Sequence, residues 1–239
     1  MATFVLVHGG AHGGWCWQRL TPHLRSAGHE VYAPTLTGLG ERAHLLSQDV
    51  DLETHIADIV AVLKYEDLHD VILVGHSYGG MVITGVADRA TSRIGQLVFL
   101  DAATPSDGQS LADVSPDLME MARSMGTTVD GVELVLNYMP DAGRFYGVTD
   151  EEAIRWMDGR LTPQPWKTFA QSLRLVDEAA VRRLPRTDII CATPMSGAGL
   201  EQAERTRGAD RVFTIDTGHD LMITEPEMVA ALLLQLTAP

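Results

Sequence analysis

The sequence predicts an α/β fold: a mostly parallel sheet flanked by helices, with a helical cap inserted after the strand that ends near Asp101. Three observations carry this. Short apolar runs alternate with segments of helical period, the pattern of a parallel sheet wrapped by crossover helices. One such run, Val71-Ile72-Leu73-Val74, passes through Gly75-His76-Ser77-Tyr78-Gly79-Gly80 straight into a helical stretch opening at Met81-Val82-Ile83. Between Gly108 and about Ala180 the alternation stops.

The elements follow in order. A first strand is expected over Phe4–His8 and a second over Glu30–Ala33. Ile56, Ile59, Val60 and Leu63 then keep the i, i+3, i+4, i+7 spacing of an amphipathic helix. The third strand is Val71–Gly75 and the fourth Gln96–Asp101. From Gly108 to about Ala180 no convincing strand appears, only helical patches and turn signals. This segment also concentrates large flexible side chains: Met119, Met121, Met125, Met139, Met157, Phe145, Tyr146 and Phe169. Two more strands, Asp188–Ala192 and Arg211–Ile215, resume the alternation. The last helix is expected after Thr224-Glu225-Pro226-Glu227, with Thr224 and Glu227 as a capping box and Pro226 in the first turn. The division is therefore residues 1–107 and 181–239 as core and 108–180 as a cap over the carboxyl edge of the sheet.

Composition narrows the function classes. At 239 residues the chain fits one sizeable domain, and no internal repeat is visible. A formal charge of −14 argues against nucleic acid and anionic membrane as partners. Cys16 and Cys191 are the only cysteines, which suits two buried thiols in a reducing compartment. No signal peptide is read at Met1-Ala2-Thr3, and the apolar run Met228 to Leu234 is too short to span a bilayer. A cytoplasmic location is the expectation.

The chemistry concentrates in three places. Strand, Gly-x-Ser-x-Gly, helix is the arrangement that presents a nucleophilic serine. Turning the chain around one residue strains it, small neighbours at Gly75 and Gly79 permit close approach, and the helix N-terminus favours developing negative charge. A serine hydroxyl needs a base to take its proton. His219, in Asp216-Thr217-Gly218-His219-Asp220 directly after the last strand, is the only histidine in the C-terminal third. His76, beside the nucleophile, is read as packing. Acyl transfer also needs donors for an oxyanion. The glycine-rich segment Val7 to Trp15 can present one backbone N–H, and Tyr78, following the serine, supplies a second. The same glycines lack the Gly-Lys-Ser/Thr continuation of a phosphate loop. His8-x-x-x-His12 has ligand-type residues, but no third ligand at suitable spacing, so no metal and no cofactor are expected.

Val-His-Gly-x-x-His-Gly-Gly-Trp at 7–15, Gly-His-Ser-Tyr-Gly-Gly at 75–80 and Gly-His-Asp at 218–220 resemble the α/β-hydrolase superfamily. Within it the chain is similar to the branch of small plant methylesterases and hydroxynitrile lyases with their bacterial esterase relatives. The resemblance runs over nearly the whole chain, the cap being the divergent part. It implies Gly10 and Tyr78 as oxyanion donors, Ser77 as nucleophile and His219 as base. It also implies an acid just after the strand that precedes the histidine strand. There the sequence reads Cys191-Ala192-Thr193-Pro194-Met195-Ser196-Gly197-Ala198-Gly199, without a carboxylate. Asp101, closing the apolar run Leu97-Val98-Phe99-Leu100, is the best replacement; some superfamily members carry their acid after this earlier strand. Asp216, Asp220 and Glu201 are the runners-up.

Serine rather than aspartate at the turn removes reactions through an alkyl-enzyme ester, and ester hydrolysis through an acyl-serine is the default. Lyase relatives carry a Thr where this chain has Gly9 and a Lys where it has Asp220, which argues against cyanohydrin cleavage. Carbon–carbon bond hydrolysis and cofactor-free oxygenation on the same residues stay open. A non-catalytic binder would be expected to have lost Ser77 or His219, and both are intact. The expected partner is a small to medium hydrophobic ester, with Gly9, Trp15, Tyr138, Trp156 and Trp166 as pocket candidates and Trp17, Lys167 and Arg174 as further possibilities. Oligomeric state is left open, a homodimer included.

Overall fold

Alternation of burial along the strands builds the core. The structure, a computed structural model, describes residues 1–136, 141–193 and 206–237. In β1 (Thr3–Val7), Phe4 and Leu6 pack on one face while Val5 and Val7 pack on the other. After β2 (Glu30–Tyr32) the pattern repeats in β3 (Val71–His76), where Val71 and Leu73 oppose Ile72 and Val74. Both faces of β3 are covered, which is why it reads as a continuous apolar run. β4 (Ile94–Leu100) continues the core.

Three further strands, β5 (Thr127–Val129), β6 (Val132–Val135) and β7 (Gln164–Pro165), lie within the segment expected to hold none. They pair antiparallel as a small separate sheet. They are short, and Thr127–Val129 is exposed throughout, so neither length nor period-2 burial marks them in the sequence. β8 (Arg186–Cys191) and β9 (Arg211–Ile215) return to the main sheet. Its order is β2-β1-β3-β4-β8-β9, with every pair parallel. All six strands expected for it are present, their ends displaced by at most two residues and the last, Arg211–Ile215, by none.

Helices cover both faces. The helix Leu52–Tyr65 buries Leu52, Ile56, Ile59 and Leu63 beside the helix Gly79–Arg89, each worth about 1.5–3 kcal/mol of apolar burial. Its start is set by Asp51 and Thr54, which cap each other's backbone N–H. On the other face Leu20, Leu24, Met222, Val229 and Leu233 pack over Phe4, Leu6, Val74 and Val98. The last helix begins at Pro226, as the proline suggests, but the expected capping box does not form. Glu225 occupies the cap position, and the Thr224 hydroxyl is taken by Thr217 and by the Asp220 carbonyl. Among the described residues, no helix is long and apolar enough to cross a membrane. Cys16 and Cys191 are buried thiols that are not joined in a disulfide.

Because the strands are parallel, their carboxyl ends share one edge. Val7 pairs with Gly75, and His76 with Leu100. The segments after β1, β3, β4, β8 and β9 therefore meet there. The closest approach is at Gly80, where a Cβ would lie 2.0 Å from the Ala103 carbonyl oxygen. Gly80→Ala is expected to cost about 3 kcal/mol by forcing backbone apart. Thermal unfolding should show a midpoint lower by roughly 5–10 °C; an unchanged midpoint would refute the tight contact.

Candidate active site

Ser77 sits between β3 and the helix Gly79–Arg89 with φ +54°, a left-handed conformation that a serine seldom adopts. Hydrogen bonds hold it there. Its N–H donates to the Leu100 carbonyl at 3.3 Å, and the Ala103 N–H donates to its carbonyl at 3.0 Å. Glycines make the turn passable: a Cβ on Gly75 would lie 2.7 Å from the Gly79 carbonyl oxygen, and one on Gly79 would lie 2.7 Å from that of Val7. Ser77 is partly exposed while His76 and Tyr78 on either side are buried.

His219 and Asp101 are brought together from 118 positions apart. The His219 ring Nδ1 lies 2.5 Å from Asp101 Oδ2. A carboxylate accepts, so Nδ1 carries the proton and the lone pair sits on Nε2. That nitrogen is buried and has no hydrogen-bond partner among the described residues. Ser77, His219 and Asp101 all line one cavity of about 100 Å³. Asp101 itself has φ +45° and is 3 % exposed. The Cys191 N–H donates to its Oδ1 at 3.3 Å and the Cys191 thiol to its Oδ2 at 3.2 Å.

The glycine-rich loop is held by histidines. Leu36 N–H donates to His8 Nε2 at 3.0 Å, so the opposite nitrogen, Nδ1–H, donates to the Gly9 carbonyl at 2.8 Å. The peptide is trans and planar, so a carbonyl fixed on one side directs the Gly10 N–H to the other. Among the described residues, neither the Gly10 nor the Tyr78 N–H donates to a protein acceptor. The Tyr78 side chain is tied down by donating its hydroxyl hydrogen to His55 Nδ1 at 2.9 Å, while His55 Nε2–H donates to the Thr37 carbonyl.

His76 does more than pack. Its Nε2–H donates to the His219 carbonyl at 3.0 Å, fixing the backbone of the loop opposite Ser77. His8 and His12 do not converge on a common point; each nitrogen already has a protein partner. His76, His219 and Asp220 bring ligand-type atoms within 4.8 Å of one another. Their hydrogen bonds assign His76 Nε2–H and His219 Nδ1–H to protein acceptors and leave the opposite ring nitrogens without a hydrogen-bond partner among the described residues.

Of the alternative acids, Asp220 faces His12 rather than the His219 ring, Asp216 is exposed, and Glu201 lies outside the described residues. Among the pocket candidates Tyr138 also lies outside them. Gly9 packs on His76 and Ser77 behind the cavity. Trp15 and Trp156 meet edge to face away from it, Trp156 lying between Arg19 and Arg160, and Trp166 carries Arg123 over its ring. None of these lines the cavity. Trp17 is core, and Lys167 reaches toward Asp51 and Gln48. The wall comes instead from Leu111, Leu118, Met119, Ala122, Tyr146 and Phe169, with further apolar neighbours. Met119, Phe145, Tyr146 and Phe169, part of the Met and aromatic concentration visible in the sequence, line the cavity together with aliphatic helix residues that carry no distinguishing signal.

A sequence model of the alpha/beta hydrolase family matches residues 4–232. The chain is 40% identical over 240 aligned positions to the carbendazim hydrolyzing esterase of Nocardioides sp., covering 96% of this chain and 97% of that protein. It is 34% identical to methyl jasmonate esterase 1 of Vitis vinifera, over 53% of this chain and 48% of that one. Among solved structures, an extracellular alpha/beta-hydrolase from a Paenibacillus species, described as sharing structural and functional homology with tobacco salicylic acid binding protein 2, superposes with a TM-score of 0.81. Identity to it is 26%, over 98% of both chains.

The buried histidines make the fold acid-sensitive. Burial pushes His8 and His76 down to about 3, and lowers His55 as well. Below their ordinary value near 6.5 the unfolded chain takes up protons that the folded chain refuses, so stability falls as pH falls. Each such histidine contributes a slope of about 1.4 kcal/mol per pH unit over that range. Denaturant titrations at pH 7.5, 6 and 5 should show the loss steepening below 6.5, and His55→Gln should reduce the slope. A flat profile would refute the neutral buried state.

Proposed function

The chain belongs to the alpha/beta hydrolase family, and on that premise we propose that it is a serine esterase. It cleaves a small to medium hydrophobic carboxylic ester through an acyl-serine intermediate. The observation that carries this reading is the bond from His219 Nδ1–H to Asp101 Oδ2, which leaves the Nε2 lone pair free in the cavity that Ser77 also lines. Esterase names among the relatives support the reaction class.

Each step follows from the residues. His219 Nε2 takes the Ser77 proton as the hydroxyl oxygen attacks the ester carbonyl carbon. Asp101 holds the ring in the required tautomer and stabilises the imidazolium, itself oriented by the Cys191 N–H and thiol. The Gly10 and Tyr78 N–H groups stabilise the tetrahedral oxyanion. His219 then protonates the leaving alkoxide, and water hydrolyses the acyl-serine by the same route in reverse. The substrate class follows from the wall of the cavity, small and mainly apolar. Residues 108–180 act as its cap over a core of 1–107 and 181–239, since the segment supplies most of that wall and no strand of the main sheet.

Ser77→Ala should abolish turnover of p-nitrophenyl acetate and butyrate, a loss on the order of 10⁴-fold or more, while circular dichroism stays unchanged. Activity within tenfold of wild type would sink the reading. Asp101→Asn is informative for a structural reason. Its carbonyl oxygen can keep the Cys191 N–H, which turns the amide NH₂ toward His219 and drives the ring proton onto Nε2. A kcat lower by about 10³- to 10⁴-fold is expected; a near-normal kcat would remove Asp101 from the mechanism. EDTA should leave the rate unchanged, and a lost rate would point to a cation at His76, His219 and Asp220.

A further inference from the structure

His12 and Asp220 form a buried pair that the proposed chemistry does not use. His12 is 1 % exposed and Asp220 fully buried. His12 Nδ1 lies 2.7 Å from the Gly10 carbonyl oxygen, and Nε2 lies 3.1 Å from Asp220 Oδ2. A carbonyl and a carboxylate both only accept, so both ring nitrogens must donate. The one alternative places the extra proton on Asp220, against the ordinary order of about 6.5 for histidine and 3.9 for aspartate. Charge balance agrees. Among the described residues two histidine nitrogens lie within 4.0 Å of the Asp220 carboxylate, those of His12 at 3.1 Å and His76 at 3.6 Å. His219, farther off, has its Nδ1–H on Asp101. His76 is neutral, because its environment holds it near 3. A carboxylate buried without a cation would be costly, so the cation is His12.

The surroundings leave that charge undisturbed. Trp15 stacks on the His12 ring at 5.3 Å, and Tyr146 and His76 present edges at 5.0 and 5.9 Å. Burial keeps the Cys16 thiol and the Tyr146 hydroxyl protonated, and His8 is neutral. Burial also lowers His12, but the Asp220 carboxylate and the Gly10 carbonyl outweigh it and raise the group overall. Asp220 is lowered in turn, burial being outweighed by His12.

The position of the pair gives it a role. Gly10 is the proposed oxyanion donor, and Asp220 adjoins the proposed base. We propose that His12 is a standing imidazolium whose two N–H groups tie the oxyanion loop to the loop of His219, making it a positioning residue for the reaction. This rests on the esterase reading of the site. The next peptide is held from its other side as well, since the Ala11 N–H donates to Gln164 Oε1 at 2.9 Å. The loop can shift only if the pair opens, and an oxyanion donor displaced by a fraction of an ångström loses much of its effect.

Two measurements test this on the full chain. Nitrogen-15 NMR of histidine-labelled protein at pH 8, with His12 assigned through its own side chain, should show both ring nitrogens protonated. In Asp220→Asn the amide donates to Nε2, so His12 should become neutral. A wild-type His12 bearing one proton at pH 8 would overturn the proposal. The double variant His12→Leu/Asp220→Leu replaces the pair by apolar bulk and should fold at least as stably. Its kcat on p-nitrophenyl butyrate should fall about 10- to 100-fold with KM within roughly threefold of wild type. A folded double variant with unchanged kcat would refute the positioning role. Should the double variant fail to fold, Asp220→Ala, which removes the acceptor of Nε2–H and so opens the tie between the two loops, carries the kinetic test with the same kcat-only loss. If wild type itself turns over no ester, the esterase reading and the positioning role fall together, whereas the NMR result on His12 stands on its own.

Discussion

The constraint on which the rest of the structure depends is the left-handed turn at Ser77. A φ of +54° points the residue out of the sheet edge, and the turn closes only because backbone from three neighbouring segments can approach it. The Val7 carbonyl lies against Gly79, the Ala103 carbonyl against Gly80, and Gly9 against the Ser77 side chain. One strained residue thus sets the mutual positions of the segments leaving β1, β3 and β4. The strain is held by the apolar burial on both faces of β3, which no local rearrangement could release.

Around that turn the polar groups are wired by histidines. His8 fixes the Gly9 carbonyl, His12 the Gly10 carbonyl, His55 the Tyr78 hydroxyl and His76 the His219 carbonyl. In a site this dry, a peptide group without a partner is expensive, and a ring with two distinct nitrogens satisfies groups on two segments at once. The same wiring determines tautomers. Leu36 N–H decides that of His8, and Asp101 decides that of His219, which leaves one lone pair facing the cavity.

The proposed acid, Asp101, illustrates how a parallel sheet can accommodate a moved residue. β4 and β8 are neighbours in register, Leu100 beside Ile189, so their carboxyl ends lie side by side. A carboxylate after β4 reaches the same imidazole that one after β8 would reach. Asp101 does so with φ +45°, and Cys191, at the end of β8, is hydrogen-bonded to it. The adjacency of strands far apart in sequence, rather than a spacing along the chain, makes this exchange workable.

The sequence by itself determined the α/β class, the six main strands and the serine turn, and offered His219 and Asp101 as its candidate companions. These rest on local rules: period-2 and period-3.6 burial, glycines where backbones crowd, and a polar residue closing an apolar strand. Only the tertiary structure decided what depends on contacts between distant segments. The three short strands of the insertion are defined by β6 meeting β5 and β7; Thr127–Val129 is β-branched, but three exposed residues show no period to read. Thr224 gives its hydroxyl to Thr217 instead of capping a helix. The cavity wall mixes aliphatic and aromatic side chains because residues 108–180 place Leu111, Leu118 and Met119 beside Tyr146 and Phe169 over the sheet edge, while Trp15 and Trp156 turn toward each other. In a linear chain His76 looks like packing and His12 like a ligand-type residue without enough partners; both become connectors only when positions 143 and 208 residues away lie within hydrogen-bonding reach. Hydrogen bonds of that range carry no periodicity, so folding alone reveals them.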